Sequence, residues 1–290
     1  MTLEQLRIFV GVAEREHMTR AAAALNVTQS AASAAIAALE ARHGVSLFHR
    51  VGRRIELTEV GRVFLDEARG VLGRAASAEL ALEEFGGLRR GTLKIVASQT
   101  IAGYWLPQHL ARFHARHPQI AVEVGIANTE AAAARVHEGT AELGFIEGAI
   151  DDPALAHWVI ARDRMVLVSA AVVEKVDDNW IRDARWIVRE AGSGTRSTFE
   201  AALNTRGIAP EALDVALILP SNEAVHTAVE AGAGVAVLSS LVVARAVATG
   251  SLYALPFELP NRPFFALRHK ERYRSKAADA LLDTIKETAR

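Results

Sequence analysis

Three groups of side chains in this 290-residue chain have types and spacings suited to recognition. The first is Gln29, Ser30 and Ser33, placed to project from the start of one helix, with Thr19 and Thr28 nearby as capping hydroxyls. A glutamine amide can bond an adenine edge through two hydrogen bonds, and a serine hydroxyl reaches either a base or a phosphate. The second is Arg50, Arg53 and Arg54 beside His49. Guanidinium forks suit phosphates and narrow grooves, although a solvated charged loop has the same composition. The third lies at the ends of apolar runs: Ser98 and Thr100, then Ser193, Thr195 and Arg196, then Ser221 and Asn222. Hydroxyls combined with the free amides of a helix N-terminus form an anion site. Asn128 and Glu147 also follow apolar runs and are further candidates. Glu147 would oppose an anion if it pointed inward, and Arg196 would serve either an acidic ligand or a nearby carboxylate. The plainer reading of the hydroxyls is helix capping.

The first two groups need elements to hold them. Leu3, Leu6, Phe9, Val10 and Ala13 share a face, which predicts a helix over residues 2–15 with Thr2 as its cap. Residues 19–40 predict two helices joined at Leu25-Asn26-Val27, where Asn26 tolerates a left-handed turn. Thr19 is expected to cap the first and Thr28 the second, with Ala22, Leu25, Ala32, Ile36 and Leu39 as a shared core. An ordinary alanine-rich hairpin would show this pattern too. Gly44 suits a helix stop. Residues 45–57 predict two short strands turning at Val51-Gly52-Arg53, with Leu47, Phe48, Ile55 and Leu57 inward. Helices followed by a basic hairpin make a winged helix-turn-helix.

Thr58 opens a long helix. Phe64, Ala68, Val71, Ala75, Ala78, Leu82 and Phe85 alternate four- and three-residue steps, a heptad seam that predicts pairing with a second copy of the chain, the alternative being an amphipathic helix that packs on its own domain. Gly86-Gly87 and Gly91 then mark a hinge. Beyond it, strands are predicted at 93–97, 120–126, 143–146, 165–169, 186–188, 216–219 and 235–238. Helices are predicted at 105–117, 130–138, 195–206, 223–231, 241–248 and 276–287. Both halves of this region repeat a strand, a polar turn and a helix. Two similar α/β subdomains around a cleft suit a small-molecule clamp.

Composition narrows the function class. The net charge of −1 gives no global sign of a nucleic-acid partner, although Lys94 is the first lysine and the basic cluster before it is arginine. The absence of Cys excludes disulfides and thiolate chemistry. No apolar run reaches membrane-spanning length and no signal-peptide pattern opens the chain, so no membrane partner and a cytoplasmic location are expected. His109, His114 and His117 lie on one predicted helix without an evident further metal ligand. Gly192-Ser193-Gly194-Thr195-Arg196 lacks the Lys-Ser/Thr ending of a nucleotide loop, and no Ser/His/acid set has motif support. No enzyme activity, metal or cofactor is expected. A bare solute-binding module is the other class, which the winged N-terminal region disfavours.

The motifs together resemble the LysR-type transcriptional regulators. They are the opening L-x-x-L-x-x-F, then A-A-A-A-L-N-V-T-Q-S-A-A-S-x-x-I-x-x-L-E, and L-F-x-R-x-x-R-R-I-x-L-T-x-x-G from Leu47 to Gly61. Tyr104-x-Leu106-Pro107, the Gly192 to Arg196 segment and A-G-A-G-V-A-V-L-S from Ala231 to Ser239 agree more weakly. The implied fold is a multi-domain α+β chain: a winged helix-turn-helix over 1–58, a linker and dimerisation helix with hinge over 59–90, and an effector domain over 91–290. The last would be two α/β subdomains, about 91–162 with 268–290, and 163–267, arranged like a periplasmic binding protein. The resemblance implies a transcriptional regulator that binds dyad-symmetric double-stranded promoter DNA as a homotetramer of paired dimers. A small anionic effector in the cleft would change its conformation. One departure stands out: Ala34 and Ala35 follow Ser33, where the family often places a basic or large polar residue. That shifts recognition toward Gln29, Ser30, Ser33 and the wing.

Overall fold

The computed structural model describes residues 1–51, 54–85, 91–148 and 150–288. Two compact units form, one centred on Met1–Gly86 and the other on the chain beyond it.

In the first unit, α1 (Leu3–Arg15) opens on a complete capping box, Thr2 with Gln5. Then come α2 (Met18–Ala24), α3 (Gln29–His43), the hairpin of β1 (Phe48–Val51) and β2 (Arg54–Leu57), and the long α4 (Glu59–Phe85). Asn26 adopts φ 55° in the turn before α3, and Gly44 ends α3 at φ 66°. Thr28 caps α3, its hydroxyl accepting from the Ala31 amide at 3.2 Å. Thr19 does not cap α2. Glu16 turns the chain at φ 45°, which leaves His17 extended, and its ring accepts from the Arg20 amide at 3.3 Å instead. Ile8, Val12, Ala21, Ala22, Ala32 and Ile36 are buried together, so small residues set the close approach of α1, α2 and α3. Glu40 reaches from α3 to accept from the Leu47 amide at 2.7 Å, which seats the start of the wing. Thr58 caps α4 through the Gly61 amide, and a Cβ at Gly61 would collide with the Leu47 carbonyl.

The heptad seam divides. Phe64 and Ala68 face the unit's own core with Leu6, Phe9, Leu39 and Leu47, and the Phe9 and Phe64 rings lie 4.8 Å apart. They are therefore not available to a partner, because α1 already covers this end of α4. Val71 and Leu82 remain 43% and 74% exposed. Gly52 and Arg53 of the wing turn and Gly86 to Arg90 of the hinge lie outside the described residues, as do the side chains of Arg50, Arg54 and Phe85.

The second unit contains β3 (Gly91–Ser98), a π-helical turn (Ile101–Trp105), α5 (Leu106–Arg116), β4 (Ile120–Ala127), α6 (Thr129–Glu138), β5 (Leu143–Glu147) and β6 (Leu155–Asp163). There follow β7 (Met165–Ser169), α7 (Asp178–Asp183), β8 (Arg185–Arg189), α8 (Gly194–Thr205), β9 (Asp214–Leu219), α9 (Asn222–Glu230), β10 (Ala236–Ser239) and α10 (Ser240–Thr249). Last are β11 (Tyr253–Ala254), β12 (Arg262–His269) and α11 (Lys276–Thr288). One sheet has the order β4-β3-β5-β12-β6, parallel across β4, β3 and β5. The other half holds β10-β7-β11 and the parallel pair β8-β9, joined by a bridge between Trp186 and Val235. Each half has its own apolar core, one around Leu93, Phe113, Phe145 and Phe264, the other around Met165, Trp186, Phe199 and Leu203.

The chain leaves the first sheet after Asp163 and returns at Arg262, and these two residues are register partners. Both crossings between the halves are thus side by side. The strands that form them, β6 and β12, were not expected from the sequence. Pro263 argues against a central strand. It is accommodated because β12 pairs with β5 only from Phe264 onward, so Pro263 has β6 as its one strand neighbour.

Candidate functional site

On the first unit the candidate residues converge at one helix end. Thr28, Gln29, Ser30 and Ser33 are all exposed at the start of α3. Thr19, in the first turn of α2, donates to Gln29 Oε1 at 3.3 Å, and the Thr28 and Ser30 hydroxyls are 3.0 Å apart. Gln29 is exposed, while Ala32, Ile36 and Leu39 anchor the opposite face of α3. Short polar side chains at a helix N-terminus can meet both base edges and phosphates. His49, on β1, is exposed as well.

On the second unit the candidate residues lie between the two halves. Ser98 ends β3 and Thr100 follows it, both buried. Thr100 makes no side-chain cap. Its hydroxyl accepts from Asn222 Nδ2 at 3.0 Å and from Arg262 Nη2 at 3.3 Å. Thr195, in the first turn of α8, accepts from Arg262 Nη1 at 3.1 Å. Asn222 opens α9, and its carbonyl takes Arg189 Nη1. Glu147, at the end of β5, is buried and turned inward: it accepts from the Ser98 hydroxyl and stands 3.4 Å from Arg262 Nη1. Gln99 joins the same set, accepting from the Asn222 amide at 2.9 Å and donating to the Pro220 carbonyl at 2.8 Å. At the rim, the Tyr104 hydroxyl donates to Glu223 at 3.4 Å, and burial together with that carboxylate raises its pKa.

Four other candidates have local roles. Ser221 caps α9 through the Ala224 amide, and Asn128 caps α6 through the Ala131 amide at 2.9 Å while donating to the Ala191 carbonyl at 3.3 Å. Arg196 pairs with Glu200 one turn along α8 at 2.7 Å and donates through Nη1 to the Arg189 carbonyl at 3.3 Å, so it ties α8 to the end of β8. Ser193 is buried at the N-cap of α8 without a side-chain capping bond.

The sequence reading missed Arg262, Asp163, Arg189 and Ser239. Arg262 is 2% exposed and donates through Nε to Asp163 at 2.8 Å, and Asp163 also accepts from Ser239 at 2.8 Å. Arg189 is 4% exposed and forks onto Glu190 at 2.7 and 2.8 Å. Charges this deep persist only when paired and hydrogen-bonded. The signal in the sequence was an arginine directly before a proline between apolar stretches, but its partners are 67 to 162 residues away. Gly194 explains how the halves come so close: a Cβ there would strike the Glu147 carbonyl, so α8 can approach β5 only through glycine.

Among the described residues, no group of three His, Cys, Asp or Glu side chains is placed to hold a metal ion. His109 faces the core against Trp105, with ring centroids 4.3 Å apart, while His114 faces solvent. Among the described residues no single helix is long and apolar enough to cross a membrane. The α2 and α3 pair passes on composition but is bent by 108°.

Comparison with known proteins supplies the context for both sites. Residues 3–62 match the family of bacterial regulatory helix-turn-helix proteins of the lysR type, and residues 86–290 match the LysR substrate binding domain. The HTH-type transcriptional regulator YeiE of Escherichia coli (strain K12), itself uncharacterized, is 32% identical over 98% of this chain and 96% of its own. Among solved structures, CbnR, a LysR family transcriptional regulator, superposes with a TM-score of 0.69 at 21% identity, covering 100% of both chains. The regulatory domain of Synechocystis PCC6803 CcmR, in complex with 2-PG, superposes with a TM-score of 0.62 at 23% identity over 69% of this chain and 97% of its own. With a DNA-binding half and an effector-binding half matched in order along one chain, the protein belongs to the LysR family of transcriptional regulators, which bind DNA and respond to small molecules, and it is not an enzyme.

Proposed function

We propose that this regulator reads a dyad-symmetric promoter site with the start of α3 and the wing, and that a small anion bound between the effector halves controls it. The observation that carries the effector reading is the convergence of Thr100 from one half with Thr195 and Asn222 from the other on buried guanidinium groups, Arg262 for the two threonines and Arg189 for Asn222. The 2-PG held by the CcmR regulatory domain, a protein of the same fold, agrees with this chemistry. Ser98, Thr100, Thr195 and Asn222 form the polar wall of the site, and Arg262 and Arg189 supply the positive charge. Asn128, Ser193, Arg196 and Ser221 shape its borders through helix ends. The division into 1–58, 59–90 and 91–290 assigns one task to each segment: reading, pairing and sensing.

At the DNA, Gln29 reads a base edge and Ser33 a base or phosphate. Thr19, Thr28, Ser30, Arg50, Arg53 and Arg54 hold the backbone. The stripe of Val71, Ala75, Ala78 and Leu82 pairs two chains, and two such dimers form the tetramer in the cytoplasm. Light scattering is expected to give a mass of at least two chains, and a single-chain mass would reject the pairing.

An anion has to displace contacts that the protein makes with itself. It shifts the equilibrium between a self-bridged and a ligand-bridged cleft by its difference in affinity for the two. A thermal-shift screen of phosphate, sulfur oxyanions and short carboxylates tests the reading. A rise in melting temperature with at least one anion is expected. Silence toward all of them, with a response to a cation or a neutral aromatic, would overturn it.

A further inference from the structure

Glu147 is out of place in an anion site. It is 3% exposed, ends β5 beside Ser98, and turns its carboxylate toward Arg262 rather than toward solvent. It is also held there. Its backbone carbonyl accepts from the Thr129 hydroxyl at 2.5 Å, and the first turn of α8 is packed on its stem, where a Cβ on Gly194 would lie 2.7 Å from Glu147 Cγ. The backbone and stem of Glu147 are thus held between Thr129 and the start of α8. Charge balance reinforces the point. Asp163 already takes Nε and Nη2 of Arg262, and Glu190 takes the fork of Arg189. An anion entering here meets guanidinium groups that are partly neutralised and one carboxylate that faces it.

An ionised carboxylate only accepts hydrogen bonds, with room for about four, and Ser98 fills one. Facing an anion with bare oxygens, it gives only repulsion. Facing an anion that carries its own O–H, it gains a charge-assisted hydrogen bond. We propose that Glu147 is a specificity residue that selects anions bearing a hydrogen-bond donor next to the charge, such as hydrogenphosphate or a 2-hydroxy acid, and rejects fully deprotonated or donor-free anions of the same size and charge. This rests on the anion reading of the cleft given above.

The test uses two matched pairs on the full-length protein by calorimetry at constant ionic strength: hydrogenphosphate against sulfate, and lactate against propionate. Within at least one pair the donor-bearing anion is expected to bind about tenfold or more tightly, since a buried group left without its partner discriminates strongly. Glu147→Gln keeps the shape and can accept from Ser98, but its amide can also donate to a bare oxygen, so the preference should collapse. Arg262 retains Asp163 as its partner in that variant, and circular dichroism confirms folding. Anion binding with no preference in the wild type, or a preference unchanged in Glu147→Gln, overturns the role of Glu147 and leaves the anion site standing. No binding of any of the four anions to either protein overturns both.

Discussion

The proposed recognition end of α3 and the proposed effector cleft use similar side chains in opposite ways. Gln29, Ser30 and Ser33 are exposed and touch few protein groups. Thr100, Thr195, Asn222 and Arg262 are buried, and each already holds another. A surface that reads a groove must leave its donors and acceptors free. A cleft that senses a ligand can satisfy its own groups first, so that the ligand competes with internal contacts rather than with water. In the proposed reading the first arrangement favours affinity and register, and the second sets a threshold and would couple binding to movement of the halves, whose two connections run side by side at Asp163 and Arg262.

Substitutions should separate the two regions. The largest effect is expected from Arg262→Ala, which leaves Asp163 and Glu147 buried without their cation. It should cost about 3–5 kcal/mol in unfolding of the effector half, read as a large fall in its melting temperature, with little change in the first unit. Next, Gln29→Ala should weaken operator binding by about 1–3 kcal/mol while leaving random DNA and stability nearly untouched. Equal losses on operator and random DNA would remove its base-reading role. Thr28→Ala should destabilise the first unit by about 1 kcal/mol through loss of the α3 cap, without touching ligand binding.

The smallest effect concerns pH. Burial, and then the charge of Arg112, lower the pKa of His109, and neither ring nitrogen has a hydrogen-bond partner among the described residues. The folded protein therefore binds that proton less readily than the unfolded chain. Its contribution to stability is complete above the ordinary histidine range, near pH 6.5, and is lost as pH falls below it toward the lowered value. His109→Leu should flatten part of the acid-side slope in urea titrations of the effector half, and an unchanged slope would assign that loss to other groups.

The DNA end was legible in the sequence because its determinants are local. Caps at Thr2 and Thr28, the left-handed Asn26 and the stop at Gly44 each act within one turn of a helix. Even there, Thr19 misled, since the left-handed turn at Glu16 moved the cap to His17. The seam misled in part because a heptad pattern records which face is apolar, not what covers it, and α1 covers Phe64 and Ala68. In the effector half the parallel strands and their helices followed from apolar runs. The crossing strands β6 and β12 did not, because polar residues and Pro263 interrupt them. Hydroxyls and Asn222 at helix starts were visible as candidates, but the arginines that organise them were not: Arg262 and Arg189 look like surface residues until distant strands enclose them.

The central claim is that the sensor lies between the effector halves. Amide hydrogen exchange on the full-length protein, with and without the anion giving the largest thermal shift, tests it most directly. Slower exchange is expected at the helix starts that line the cleft, Gly194 to Ser197 and Asn222 to Ala224, with the peptide spanning the caps of α2 and α3 unchanged before DNA is added. Saturating anion that leaves these cleft amides unaltered, or protects a different surface, would contradict it.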